Sequence, residues 1–255
     1  MRFDPPLAAG ILIRRYKRFL ADITDRQGAR RTIHCANTGA MTGCAEPGSR
    51  IWYTTSADRR RKYPNTLEYV EDGDGDLICV NTMRANALVA EALREGRLEG
   101  FGESASVRRE VAVPGDEAGR FDFLVQDRAE QTFIEVKSVT LKLAPGIGAF
   151  PAAVSERATR HVNALAKLAR QGHRTMLLFC VLHAGIRSVA PADHVDPTYG
   201  RALRHAIDAG VTVRAVRARM TVQEMQIDGT VPFFRSYEAA PKKPALALGQ
   251  TRERV

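Results

Sequence analysis

The stretch RFDFLVQDRAEQTFIEVKSVTL, Arg120 to Leu141, decides how the rest of the chain is read. FDFLVQ and TFIEVKSV are rich in β-branched and aromatic residues, and Asp127 to Gln131 separates them with polar turn residues. The pattern predicts a two-strand hairpin. Side chains alternate across a strand, so Glu135 and Lys137 share a face with Phe133, while Ile134 and Val136 turn into a core. Asp122, near the start of the first strand, comes within reach across the hairpin. Two carboxylates and a lysine thus gather on one small sheet. Hard divalent cations such as Mg2+ or Mn2+ take carboxylate oxygens together with water and substrate phosphates. A lysine beside such an ion orients the attacking water. Asp122 and Glu135 are therefore expected as metal ligands, with the Val136 carbonyl nearby, and Asp122, Glu135 and Lys137 as the catalytic set. The plain alternative is a solvated, acid-lysine strand face.

The D-x(n)-E-x-K arrangement resembles the signature of the PD-(D/E)xK nuclease superfamily, without the usual proline before the aspartate. Composition points the same way. The 255 residues carry a formal charge of +9, with 38 Lys and Arg against 29 Asp and Glu. Such a balance fits a polyanion partner, most simply DNA, with RNA left open; a generally basic soluble protein is the alternative. No apolar run approaches the ~18 residues of a membrane span, so no membrane partner is expected. The opening MRFDPPLAAGILIRR is too short and broken for a secretory signal. Cys35, Cys44, Cys79 and Cys180 form no CxxC pair and read as reduced cytoplasmic thiols.

Residues 1–82 read as a small β-barrel of the OB type built from five short strands, a fold that often binds nucleic-acid strands. The strands fall in Ala9–Ile23, Arg30–Cys35, Gly48–Thr55, Thr66–Val70 and Asp76–Val80. Two basic clusters on this part, Arg14, Arg15, Lys17, Arg18 and then Arg59, Arg60, Arg61, Lys62, form an expected phosphate track. Between them lies the small-residue loop Asn37 to Cys44. Its glycines could bring backbone amides to a phosphate, or the loop could simply close the barrel; no lysine follows to make a P-loop.

The period changes at Asn81. Residues 83–237 read as an α/β layer domain. Met83–Glu95 is an expected helix ended by Gly96, followed by a strand at Val107–Val113 and the hairpin. After a loop at Ala144–Phe150 comes a second helix, Ala152–Arg170, then an apolar central strand, Thr175–Leu182. A helix at Tyr199–Ala209, a strand at Val211–Val216 and an edge at Thr221–Phe234 complete it. The tail after Glu238 is expected to be disordered. On the second helix Arg157 and His161 lie four apart and are neighbours, placed to hold and donate to a phosphate. Glu91 and Glu110 are candidates for a further metal ligand. His183 reads as a satisfied histidine at the core's edge.

The strings HCANTGAMTGCAEPG, RRKYPNTLEYV, ICVNTMRAN, RFDFLV, IEVKSVTL, FPAAVSERATRH and FCVLHAGI resemble the sugar fermentation stimulation protein A family, SfsA, over Phe3 to Ile227. That resemblance implies an N-terminal OB-like domain joined to a PD-(D/E)xK nuclease-like domain, and DNA binding without strong sequence preference. Its name implies a link to expression of sugar (maltose) utilisation genes. Ala152 departs from it, standing where an aspartate is expected after Phe-Pro. Two functions follow: a metal-dependent nuclease, or a DNA-binding regulator on a nuclease-like scaffold without turnover.

Overall fold

The computed structural model describes residues 1–37, 39–114 and 116–238, without the side chains of 116–118. Residues 239–255, the expected tail, lie outside the described residues.

The N-terminal part is a closed, OB-like sheet. Its strands are β1 (Ala8–Tyr16), β2 (Leu20–Asp25), β3 (Arg30–Cys35), β4 (Arg50–Thr55), β5 (Asn65–Glu71) and β6 (Leu77–Cys79). They run in the order β3-β2-β1-β4-β5-β6, and a parallel pairing of β3 with β5 closes the ring. Alternation sets the interior: Leu12, Ile23, Ile33, Ile51 and Leu67 point inward and are buried. The expected single segment Ala9–Ile23 is two strands. It folds back at Lys17 and Arg18, both in the left-handed region (φ 48° and 64°). Without a glycine or asparagine there, nothing in the residue types announces the turn.

Asn81 and Thr82 lead into α1 (Met83–Arg94) and the second part of the chain. β7 (Ser106–Val113), β8 (Asp116–Asp127), β9 (Glu130–Val139), β12 (Arg174–Val181), β14 (Thr212–Met220) and β15 (Met225–Val231) form a mixed six-stranded sheet. β9, β12 and β14 lie parallel at its centre. α1 covers one face, where Leu88, Val89 and Leu93 join Ile134, Val136 and Leu178 in one core. α2 (Glu156–Arg170) and α3 (Pro197–Asp208) cover the other, with Val162, Leu165 and Leu203 packed on Phe133, Leu177 and Phe179. The expected loop Ala144–Phe150 is instead part of a three-stranded sheet of β10 (Leu141–Ala144), β11 (Gly146–Phe150) and β13 (Ile186–Pro191). Gly148 permits it, since a Cβ there would meet the Ile186 side chain at 2.7 Å. α2 also begins later than expected, at Glu156, where the Ser155 hydroxyl accepts from the Ala158 amide as N-cap.

Three clusters tie the barrel to the α/β part. Glu68 of β5 is fully buried and bonded to Arg84 of α1 through Nε (2.9 Å) and Nη2 (2.6 Å) and to Asn81 (3.0 Å). Lys142 of β10 reaches Asp72, Asp74 and Asp76 in the β5–β6 turn. The Cys79 amide donates to the Leu182 carbonyl at 2.9 Å.

Candidate active site

β8 and β9 pair from Asp127↔Glu130 at the turn to Phe123↔Ile134. The next pair would bring Asp122 opposite Glu135. There the ladder gives way, and the Asp122 carboxylate accepts the Val136 N–H on Oδ2 at 2.7 Å. The amide of Val136 therefore meets Asp122. Its other oxygen accepts from Asn86 Nδ2 of α1 at 2.6 Å, which fixes the carboxylate in the gap between the strands.

Glu135 is 2% exposed. Its Oε1 accepts from the Lys137 ammonium and bonds His161 Nδ1 of α2. Its Oε2 is buried and has no hydrogen-bond partner among the described residues. The face that carries Glu135 is thus no solvated surface; α2 roofs it. Burial alone would raise the Glu135 pKa, but His161 and Lys137 outweigh it and hold the carboxyl below its ordinary range. Asp122 goes the other way. Burial pushes its pKa up and the Glu135 charge adds to that, against the bonds from Val136 and Asn86. The two shifts run in opposite directions because Glu135 has two basic partners and Asp122 has none so close. A second buried group points to the same place. The Tyr199 hydroxyl of α3 has no hydrogen-bond partner among the described residues, and its pKa is raised by burial and by the Glu135 charge. The orphaned, buried Glu135 Oε2 beside Asp122 fits a hard divalent cation with its waters.

In front of His161 lies a cleft of about 250 Å³ lined by Glu110, Arg120, Arg157, Arg160 and His161. The His161 ring is held through Nδ1, and no hydrogen bond from its Nε2 is made among the described residues. Glu110 takes a left-handed conformation (φ 51°) on β7, at the ladder position opposite Asp122. Arg120 and Arg160 were not singled out from sequence, although Arg160 lies one turn from Arg157 and Arg120 opens the deciding stretch. Tyr199 read only as the start of a helix.

Other expected site residues stand apart. Glu91 is not brought to the acid pair: both its oxygens accept from the Met1 ammonium at 2.7 Å. Arg15 is not free for phosphate; its guanidinium donates to the carbonyls of Arg18, Asn37 and Gly39 and braces the barrel loop. Arg14 is bonded to Asp22 and lies over the Tyr16 ring. Lys17 and Arg18 are exposed at the β1–β2 turn. Arg59, Arg61 and Lys62 are exposed, and Arg60 is paired with Asp58. The Asn37–Cys44 loop, apart from Thr38, which lies outside the described residues, sits over the barrel's end, with Met41 and Cys44 packed in its core.

A second acidic group was read from sequence only as a turn. Oxygens of Asp72 and Asp76 and a ring nitrogen of His183 lie within 4.8 Å of one another. The Lys142 ammonium already fills that space, at 2.6 Å from Asp72 and 2.9 Å from both Asp74 and Asp76. His183 is buried as expected, and its Nδ1 accepts from the Gly185 amide. Burial, with the Lys142 charge, lowers its pKa and keeps it neutral.

A barrel of the OB type joined to a mixed α/β sheet with an acid pair at a splayed strand junction defines the class. Comparison with known proteins gives the family. A model described as the SfsA N-terminal OB domain matches residues 13–80, and one described as the sugar fermentation stimulation protein RE domain matches 83–224. A sugar fermentation stimulation protein homolog of Pseudomonas paraeruginosa is 51% identical over 233 residues, 91% of this chain and 99% of its own. That of Aeromonas salmonicida is 47% identical over 237 residues, 91% and 96%. The solved structure of Pyrococcus furiosus SfsA in complex with Ca2+ superimposes with a TM-score of 0.81 at 27% identity, covering 92% of this chain and 98% of that one. The chain belongs to the SfsA family. No helix of the described residues is long and apolar enough to cross a membrane.

Proposed function

We propose that this protein binds DNA largely without regard to sequence and cleaves phosphodiester bonds with Mg2+ or Mn2+ held by Asp122 and Glu135. The observation that carries this reading is the unpartnered, buried Glu135 Oε2 beside an Asp122 whose charge burial and Glu135 disfavour. A DNA-binding surface alone has no use for two carboxylates set toward a polyanion. The ion, when bound, neutralises charge that builds on a scissile phosphate and lowers the pKa of a bound water. The chain's own groups do the rest. Asn86 and the Val136 amide fix Asp122. Lys137, anchored on Glu135, holds the attacking water in place. Glu135 fixes the His161 ring through Nδ1 and sets Nε2 toward the cleft that would take the phosphate backbone. Arg120, Arg157 and Arg160 line the cleft through which the backbone passes. The Pyrococcus furiosus relative's complex with Ca2+ supports a divalent-cation site in the family.

The test is cleavage of DNA and RNA with Mg2+ or Mn2+ against chelator. Wild type should cut only with the ion; Asp122→Asn and Lys137→Met should not cut, while retaining DNA binding. Failure of the wild type to cut with either ion would leave the non-catalytic regulator of sugar-utilisation genes as the better account.

A further inference from the structure

α2 roofs the acid pair with one face and turns the other to solvent. That outer face presents Glu156, Arg157, Arg160, Asn163, Lys167 and Arg170, all exposed. Four of these six are basic, and Glu156 is the only acid in the 15-residue helix. A surface helix ordinarily interleaves both signs, because an acid three or four positions from a lysine or arginine steadies it. Here the spacing sets like charges together instead, Arg157 beside Arg160 and Lys167 beside Arg170. Nothing acidic from elsewhere relieves them. None of the four makes an ion pair with a carboxylate among the described residues. Arg14, Arg50, Arg60, Arg217 and Arg235, on other surfaces, each do. Arg170 instead meets His205 of α3, itself a basic side chain. The helix dipole favours Lys167 and Arg170 in the last turn, but it disfavours Arg157 and Arg160 near the first. A row of unrelieved positive charge that costs the helix stability is suited to a polyanion.

At about 1.5 Å per residue, the line from Arg157 to Arg170 is about 20 Å long. Duplex DNA rises about 3.4 Å per base pair, so the line matches roughly six base pairs of backbone. It is not centred on the acid pair. His161, which bonds Glu135, stands in the first half of the helix, and Arg157 and Arg160 share its cleft. Lys167 and Arg170 lie beyond that cleft, about 9 and 14 Å further along the axis than His161. α2 carries no Phe, Tyr or Trp on which a base could stack, and base stacking is what a single strand offers a protein groove. A row of charges alone reads phosphates and carries no sequence information. We propose that the outer face of α2, through Lys167 and Arg170, is a track for the phosphate backbone of duplex DNA, leading away from the bond held at Lys137. This deepens the cleavage reading and rests on it for the position of that bond. It names the duplex, rather than a single strand, as the form held.

The test uses the full chain in EDTA, titrated against a labelled duplex at several salt concentrations and read by fluorescence anisotropy. Lys167→Ala with Arg170→Ala should lower duplex affinity on every sequence alike. It should also flatten the slope of log K against log salt by about 1.8, two contacts at about 0.9 each. Lys167→Arg keeps the charge and should bind as wild type does. Arg50→Ala with Arg94→Ala removes the same two charges from the barrel and from α1, and should leave the slope unchanged. A wild-type slope in the folded Lys167→Ala, Arg170→Ala protein overturns the proposal, as does equal flattening by Arg50→Ala with Arg94→Ala. An equal loss of affinity for a single strand of the same length overturns the choice of duplex. Duplex binding that depends on Lys167 and Arg170, in a wild type that never cuts with Mg2+ or Mn2+, would sink the nuclease reading and leave the track. Metal-dependent cutting with an affinity indifferent to both residues would sink the track alone.

Discussion

Asp122 and Glu135 sit side by side, yet the two substitutions that neutralise them should act in opposite directions with pH. Glu135→Gln removes the charge that faces both Lys137 and His161, whose side chains are 13% and 12% exposed. Taking away one partner of a buried ion pair costs about 3–5 kcal/mol. Lys137 can partly reach water, so the lower end, about 3 kcal/mol, is expected. At this chain length that is a fall in Tm of about 6–12 °C. Because the folded pKa of Glu135 lies below its unfolded value, the stabilisation is present at neutral pH and is lost as pH falls. The gap between wild type and Glu135→Gln should therefore close only below about pH 4.3, the ordinary glutamate value. Asp122→Asn removes a charge that burial and Glu135 disfavour and gives up one of two hydrogen bonds, worth about 1 kcal/mol. These offset, so the variant should lie within about 1 kcal/mol of wild type at neutral pH. With a folded pKa above the unfolded one, the cost of ionised Asp122 fades as pH falls through that folded value. Asp122→Asn thus does relatively worse in acid, while Glu135→Gln does relatively better. The assay is urea or thermal unfolding in EDTA from about pH 7.5 down to about pH 4. A Glu135→Gln protein as stable as wild type at neutral pH, or the same pH trend for both variants, would refute the reasoning.

Duplex DNA affinity should fall steeply with salt, and the triple change Arg120→Ala, Arg157→Ala, Arg160→Ala should flatten the slope of log K against log salt by up to about 2.7, three contacts at about 0.9 each, as read by fluorescence anisotropy. Replacing Arg59, Arg60 and Arg61 with alanine should lower affinity on all sequences alike, with Arg60 contributing least because Asp58 holds it. Lys142→Met strands Asp72, Asp74 and Asp76 beside one another and should cost about 3 kcal/mol or more in urea unfolding; added Ca2+ should restore part of the loss in that variant and not in wild type. Arg84→Met leaves Glu68 buried without its bidentate partner and should cost about 3–5 kcal/mol, seen as a lower urea midpoint.

Alternation and turn position made much of the site legible. A hairpin turning at Asp127–Glu130 brings Asp122 opposite Glu135, and period two puts Lys137 beside Glu135. What sequence could not supply were partners distant along the chain. Arg15 reads as one of a basic run until the loop carbonyls 22 and 24 positions away claim it. Glu91 has the helix position of a ligand but meets the N-terminal ammonium. Lys142 reads as a strand lysine, and the aspartates 66 to 70 residues before it read as a turn. The β10–β11 hairpin was hidden because Pro145, Gly146 and Gly148 are loop residues by type. Gly148 is a glycine because the Ile186 side chain leaves no room for a Cβ, a reason that exists only once the sheet is formed.

The central claim is that one divalent ion belongs between Asp122 and Glu135. Crystals soaked in Mn2+ and measured at its absorption edge locate such an ion directly. The account requires an anomalous peak within about 2.5 Å of an oxygen of each carboxylate, with Glu135 Oε2 among them. A peak at Asp72, Asp76 and His183 with none at Asp122 and Glu135, or no peak in a soaked crystal that retains the fold, would contradict it.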